Sequence, residues 1–147
     1  MRILALDLGA KRIGVAVSDP TGTVASPLTV IQRSRSRRHD YQRIATLVRD
    51  EEAELVVVGL PLSMSGQDGP SAKAARTEFS TLASVVDVPI EMYDERLSTV
   101  TAQRALTEAG VRGPAGRQVI DKIAAAVFLQ AFLDRRKGLE RRQGAAP

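Results

Sequence analysis

The chain contains no cysteine, one histidine (His39) and only 3% aromatic residues among 147 positions. Without thiols there is neither a disulfide framework nor a thiolate metal site, so a bound metal would be held by oxygen or by His39. Oxygen donors favour hard cations such as Mg²⁺ or Mn²⁺. His39 has no clustered partner and reads as a surface residue. The aromatics are a poor basis for stacking on bases, because Phe79, Phe128 and Phe132 fall at helical spacings that suit packing and leave only Tyr41 and Tyr93. No apolar run approaches membrane-spanning length. Met1-Arg2 leads into a short strand and not into the apolar core of a secretory signal, so no membrane association and a cytoplasmic location are expected.

What is present is ordinary for a globular domain: 44% apolar and 26% charged residues, with a net charge of +4 and a pI near 10.0 that suit a polyanionic partner. The length fits one compact domain and is too short for two substantial lobes. A single domain over 1–136 is expected, followed by a basic tail at 137–147 without order.

Ile3 to Leu8 and Ile13 to Ser18 read as two strands joined by the hairpin-sized link Gly9-Ala10-Lys11-Arg12. A third strand, Thr23 to Ile31, is entered through Asp19-Pro20-Thr21-Gly22. After the basic run Arg33 to Arg38, Ile44, Leu47 and Val48 have helical spacing, which predicts a helix over 40–52. Leu55-Val56-Val57-Val58-Gly59 is the continuous apolar run of a buried parallel strand. A loop follows, then a helix from Ala72 to Val86, a strand from Ile90 to Asp94, a helix from Ser98 to Ala109 and a long helix from Arg117 to Arg136. An antiparallel meander followed by alternating helices and strands gives an α/β fold with a mixed five-stranded sheet flanked by helices.

Asp7 places a carboxylate in an apolar strand, where an isolated charge is strongly disfavoured unless a cation, a donor or water stands beside it. The Asp94-Glu95 pair lies where a parallel strand emerges, the usual place for ligands in such sheets. Asp121 falls in the first turns of the last helix, with Ala124 and Ala125 nearby to leave room for a phosphate or its ions. Two-metal phosphodiester hydrolysis needs carboxylates that hold two divalent ions about 3.5–4 Å apart, and these acids have the right chemistry. Lys11, Arg12, Lys73, Arg76, Arg96 and the Arg33 to Arg38 run are candidates for backbone phosphate contacts, which set affinity and not sequence choice.

Four segments together resemble the YqgF/RuvX family of RNase H-like nucleases: DLGAKRIGVAVSD at Asp7 to Asp19, GLPLSMSG at Gly59 to Gly66, DERLST at Asp94 to Thr99, and DKIAAAVFLQAFLD from Asp121. They occur in order across nearly the whole chain. The resemblance implies an RNase H-like fold with sheet order 3-2-1-4-5 and metal-binding acids at Asp7, Glu95 and Asp121. It also implies trimming of the 5′ end of pre-16S rRNA and, for some members, cleavage of Holliday junctions. Gly59-Leu60-Pro61 departs from the wider RNase H-like pattern, which commonly has an acid where the fourth strand ends, so Glu95 must substitute. Alternation puts Asp94 and Glu95 on opposite faces. Glu95 is taken as the ligand, with Asp94 as its hydrogen-bonding support.

The leading expectation is therefore a metal-dependent nuclease on structured RNA, working as a monomer or homodimer. A resolvase acting on branched DNA would share the site and call for a two-fold dimer. Two readings of other classes remain: an actin-like ATPase or kinase fragment, disfavoured because one lobe of this size cannot close over a nucleotide, and a nucleic-acid-binding module without catalysis.

Overall fold

A strand that is apolar on both faces is stable only inside a sheet covered on two sides. β1 (Ile3–Leu8) and β4 (Leu55–Leu60) pair in parallel, with Ile3 opposite Leu55 and Leu6 opposite Val58. β2 (Arg12–Ser18) returns antiparallel along the other side of β1, and β3 (Ala25–Gln32) pairs with β2 across an irregularity at Val15/Ala16. β5 (Ile90–Asp94) joins β4 in parallel, giving the order β3-β2-β1-β4-β5 that the resemblance implies. The structure, a computed structural model, describes residues 1–62, 65–100 and 113–144. From residue 101 on, the helix expected between Ser98 and Ala109 lies outside the described residues.

Strand alternation divides the core in two. Leu4 and Leu6 join Val15, Val56 and Val58 against Ile44 and Val48 of α1 (Arg37–Asp50) and Leu82 of α2 (Pro70–Val85). Ile3 and Ala5 face the other way with Ala16 and Val57, and there α3 (Gly113–Gly144) packs through Ala124, Ala125, Phe128, Leu129 and Leu133. Ala5 and Ala16 on this face meet Ala124 and Ala125 of α3, where the helix lies close to the sheet.

Several boundaries differ from the spacing-based expectation, for identifiable reasons. α1 begins three residues early because Ser36 caps it, its hydroxyl accepting from the His39 amide at 3.2 Å. β3 starts two residues late because the Asp19 carboxylate captures the amides of Thr23 and Val24 at 2.7 and 2.9 Å. Those bonds and one from the Thr21 hydroxyl, the largest contributor, hold Asp19 well below the usual carboxylate range. α3 starts four residues early, Pro114 being tolerated in a first turn, and runs on to Gly144 where the sequence suggested an unordered tail after Arg136. Beyond that point Arg136 pairs with Glu140 one turn on at 3.6 Å and Lys137 bonds Thr23.

The basic run also departs from expectation at its first member. Arg33 is directed inward: its Nη1 and Nη2 donate to Glu78 Oε1 and Oε2 of α2 at 2.7 and 2.8 Å, and its Nε donates to the Gly9 carbonyl at 2.7 Å. Tyr41 of α1 donates to the same carboxylate at 2.7 Å, and Arg37 pairs with it. This cluster ties α1, α2 and the β1–β2 hairpin together around Glu78, which is only 6% exposed. Burial pushes the Glu78 carboxyl up, but hydrogen bonds from Arg33 and Tyr41, together with the charges of Arg33 and Arg37, outweigh it and leave the group below its ordinary value of 4.5.

A depressed carboxyl stabilises the fold above the unfolded-state value, and that contribution is lost as pH falls through the folded value. Glu78→Gln should lower stability near neutral pH by about 3 kcal/mol, since it leaves Arg33 buried without its counter-charge. It should also flatten the decline below pH 4.5, as measured by urea unfolding across pH. Equal stability of the two proteins at pH 7 would show that the pair does not tie these elements together.

Candidate active site at the carboxyl edge of the sheet

Asp7 is the fifth residue of β1 and only 8% exposed. By alternation it shares the face of Ile3 and Ala5, the face that α3 covers. Glycine stands on both sides of it. Gly14 of β2 is its direct antiparallel partner, and Gly59 of β4 lies one position past the Leu6–Val58 pair. On this face, Asp7 thus has backbone and not side chain as its neighbour on either strand.

Each glycine makes room for another acid. A Cβ placed on Gly59 would lie 2.6 Å from Glu95 Oε1 and 3.2 Å from its Cγ, so the Glu95 side chain rests on β4 where a side chain would otherwise be. A Cβ on Gly14 would lie 2.2 Å from the Asp121 carbonyl oxygen, so the backbone of α3 touches β2 at that point. Asp7, Glu95 and Asp121 are brought to one end of the sheet, from β1, from the turn after β5 and from α3. The absence of an acid at the end of β4 is matched by the same contact: Gly59 is the clearance for a carboxylate supplied by the turn after β5.

Strand alternation does not separate Asp94 from Glu95 as the sequence suggested, because β5 ends at Asp94 and Glu95 begins the following turn. Asp94 closes β5 and caps the single 3-10 turn Glu95–Leu97, accepting from the Arg96 amide at 2.9 Å and from Arg96 Nη2 at 2.6 Å. The Arg96 side chain, foremost, holds Asp94 below the usual carboxylate range. Ser98 donates its amide and hydroxyl back to the Glu95 carbonyl at 3.1 and 2.8 Å. The turn is therefore fastened on both sides of Glu95.

The basic candidates separate into two groups. Arg12, in the first position of β2, places Nε 2.6 Å from Asp121 Oδ2, with both side chains about one-fifth exposed. Arg96 is held by Asp94 and runs beside Gly66, and Arg76 pairs with Asp68 at 2.6 Å. Lys11 at the hairpin tip and Lys73 on α2 are exposed, as are Arg35, Arg37, Arg38 and His39. The sequence reading missed Gly14, Gly59 and Glu78. The two glycines were visible as glycines inside apolar strands, a signal of close approach.

Among the described residues no three acids or histidines stand close enough to enclose one ion, and the pull of Arg12 on Asp121 works against closure. The donor set is nevertheless all carboxylate and rests on backbone, which suits a hard divalent cation. Among the described residues no helix is long and apolar enough to cross a membrane.

Comparison with known proteins follows the same lines. A family profile described as "RuvX: Holliday junction resolvase" matches residues 1–135. A Mycobacterium ulcerans protein named "Putative pre-16S rRNA nuclease" is 49% identical over 94% of this chain and 81% of its own length. A Myxococcus xanthus protein of the same name is 48% identical over 91% of this chain and 88% of its own. Among solved structures, Thermus thermophilus RuvC in complex with a Holliday junction substrate superposes with a TM-score of 0.58 at 17% identity, covering 94% of this chain and 96% of that one. Fold and relatives define the class, a nuclease with an RNase H-like fold. Within that class, the chain belongs to the RuvX family.

The two glycines should respond differently to substitution. Gly14→Ala meets backbone, so α3 must move, with a loss of about 1–3 kcal/mol in thermal unfolding. Gly59→Ala meets side chain and not backbone, Glu95 Oε1 at 2.6 Å and Cγ at 3.2 Å, so it should cost less stability than Gly14→Ala while displacing Glu95. For a carboxylate that takes part in the reaction, a displacement of about 1 Å would lower turnover by about a hundredfold. A cleavage assay on Gly59→Ala that returns wild-type rates would separate Glu95 from the chemistry.

Proposed function

We propose that this nuclease processes the 5′ end of pre-16S rRNA in the cytoplasm, with Asp7, Glu95 and Asp121 holding Mg²⁺ or Mn²⁺. The observation that carries the reading is the row Gly14, Asp7, Gly59, with Glu95 and Asp121 lying over its two ends. Three carboxylates drawn to one sheet edge have no structural use that apolar residues would not serve better. When bound, the ions would activate the attacking water and stabilise charge on the phosphate and leaving oxygen. The chain's own part is to fix the donors. Asp7 is held rigidly by its strand, Glu95 by the capped turn, and Asp121 by the contact of α3 with Gly14.

Lys11, Arg12, Lys73, Arg76 and Arg96 are assigned to the nucleic-acid backbone, where contacts raise affinity without reading sequence. Asp94 acts through Glu95, by holding its turn. The names of the close relatives support rRNA as the substrate, and their matches cover most of this chain. The catalytic unit is assigned to residues 1–136, as a monomer or homodimer. Branched DNA is a second reading, favoured by the description of the family profile.

Asp7→Asn should lower cleavage of precursor rRNA by about a thousandfold, the several kcal/mol expected for a lost metal ligand, while nucleic-acid binding persists. Cleavage assays with and without Mn²⁺ on precursor rRNA, four-way junction DNA and plain duplex would decide the substrate. Preferential cutting of the junction by a dimer would replace the rRNA reading. Undiminished cleavage by Asp7→Asn would remove the site.

A further inference from the structure

The contact between Arg12 and Asp121 has a meaning that packing alone does not supply. Arg12 opens β2 two residues before Gly14, on the same face, and its guanidinium reaches over the hairpin to the carboxylate of α3 at 2.6 Å. The hydrogen bond to Asp121 is donated by Nε. A guanidinium so close to the Asp121 carboxylate offsets its charge, and it also opposes the arrival of a divalent ion there. The same group is suited to a phosphate, which it can grip in the two-pronged manner it offers a carboxylate. At one-fifth exposure the pair is open enough to exchange.

We propose that Arg12 is an exchangeable counter-ion for Asp121. Without nucleic acid it neutralises Asp121 and keeps the metal site open. When a backbone phosphate reaches the hairpin, the guanidinium transfers to it and Asp121 turns toward the ions. Substrate and metal thereby bind with positive coupling, each favouring the state in which Arg12 has left the acid. This rests on the metal reading given above and adds to it the order imposed by one arginine.

Calorimetric titration of Mn²⁺ into the full chain, without nucleic acid, tests the exchange directly. Arg12→Gln should bind Mn²⁺ about tenfold more tightly than wild type, within the usual range of coupling between sites. Arg12→Lys, which keeps the charge, should stay closer to wild type. In an Asp121→Asn background the gain from Arg12→Gln should vanish, because the partner is gone. Binding of a short RNA hairpin by Arg12→Gln should lose about one unit of salt slope. Equal or weaker Mn²⁺ binding by a folded Arg12→Gln, judged by circular dichroism, would overturn the exchange and leave Arg12 as a strut between hairpin and helix. A gain that persists without Asp121 would overturn it as well. Failure of both wild type and variant to bind Mn²⁺ would instead overturn the metal reading, and the exchange with it.

Discussion

The approach of α3 to β2 at Gly14 is the constraint on which the rest of the structure depends. The Asp121 carbonyl occupies the space where a side chain on Gly14 would begin, so the helix rests on the sheet backbone at the carboxyl end of β1. The alanines along that face, Ala5 and Ala16 on the sheet and Ala124 and Ala125 on the helix, extend the close contact away from the site. A larger residue at any of these places would lift the helix and carry Asp121 with it. Packing density and active-site geometry are thus one problem, solved with the smallest side chains available.

The opposite end of the row uses the same device on a softer element. Gly59 admits the Glu95 side chain, and the turn that bears it is secured by Asp94, Arg96 and Ser98. Asp7 stands between, on a strand buried from both sides. Its carboxylate is costly in such surroundings, and a strand without it would be more stable. A carboxylate kept in such surroundings is the kind of local conflict between stability and use from which the proposed site is argued.

Much of the frame was legible. β4 read as a continuous apolar run, β1 and β2 as strands joined by a hairpin-sized link, and β5 as a short strand, because these patterns depend on local periodicity and turn chemistry. Asp7 was legible as a charge inside an apolar strand. What escaped was every feature created by a distant partner. Arg33 looked like the first of a solvated basic run and is a buried tie to Glu78, forty-five residues away. Arg12 looked like a phosphate contact and reaches Asp121, one hundred and nine residues away. Charge and spacing describe a side chain's chemistry but not which element will stand opposite it.

By itself the sequence determined the strands, the helical faces and the exclusion of thiolate chemistry, since each follows from residue type and local repeat. Only the tertiary structure decided that Glu95 leans over Gly59 while Asp94 caps the turn, and that Asp121 is held by Arg12. Those outcomes depend on distances between elements far apart in the chain, and such distances exist only once the two faces of the sheet have been packed.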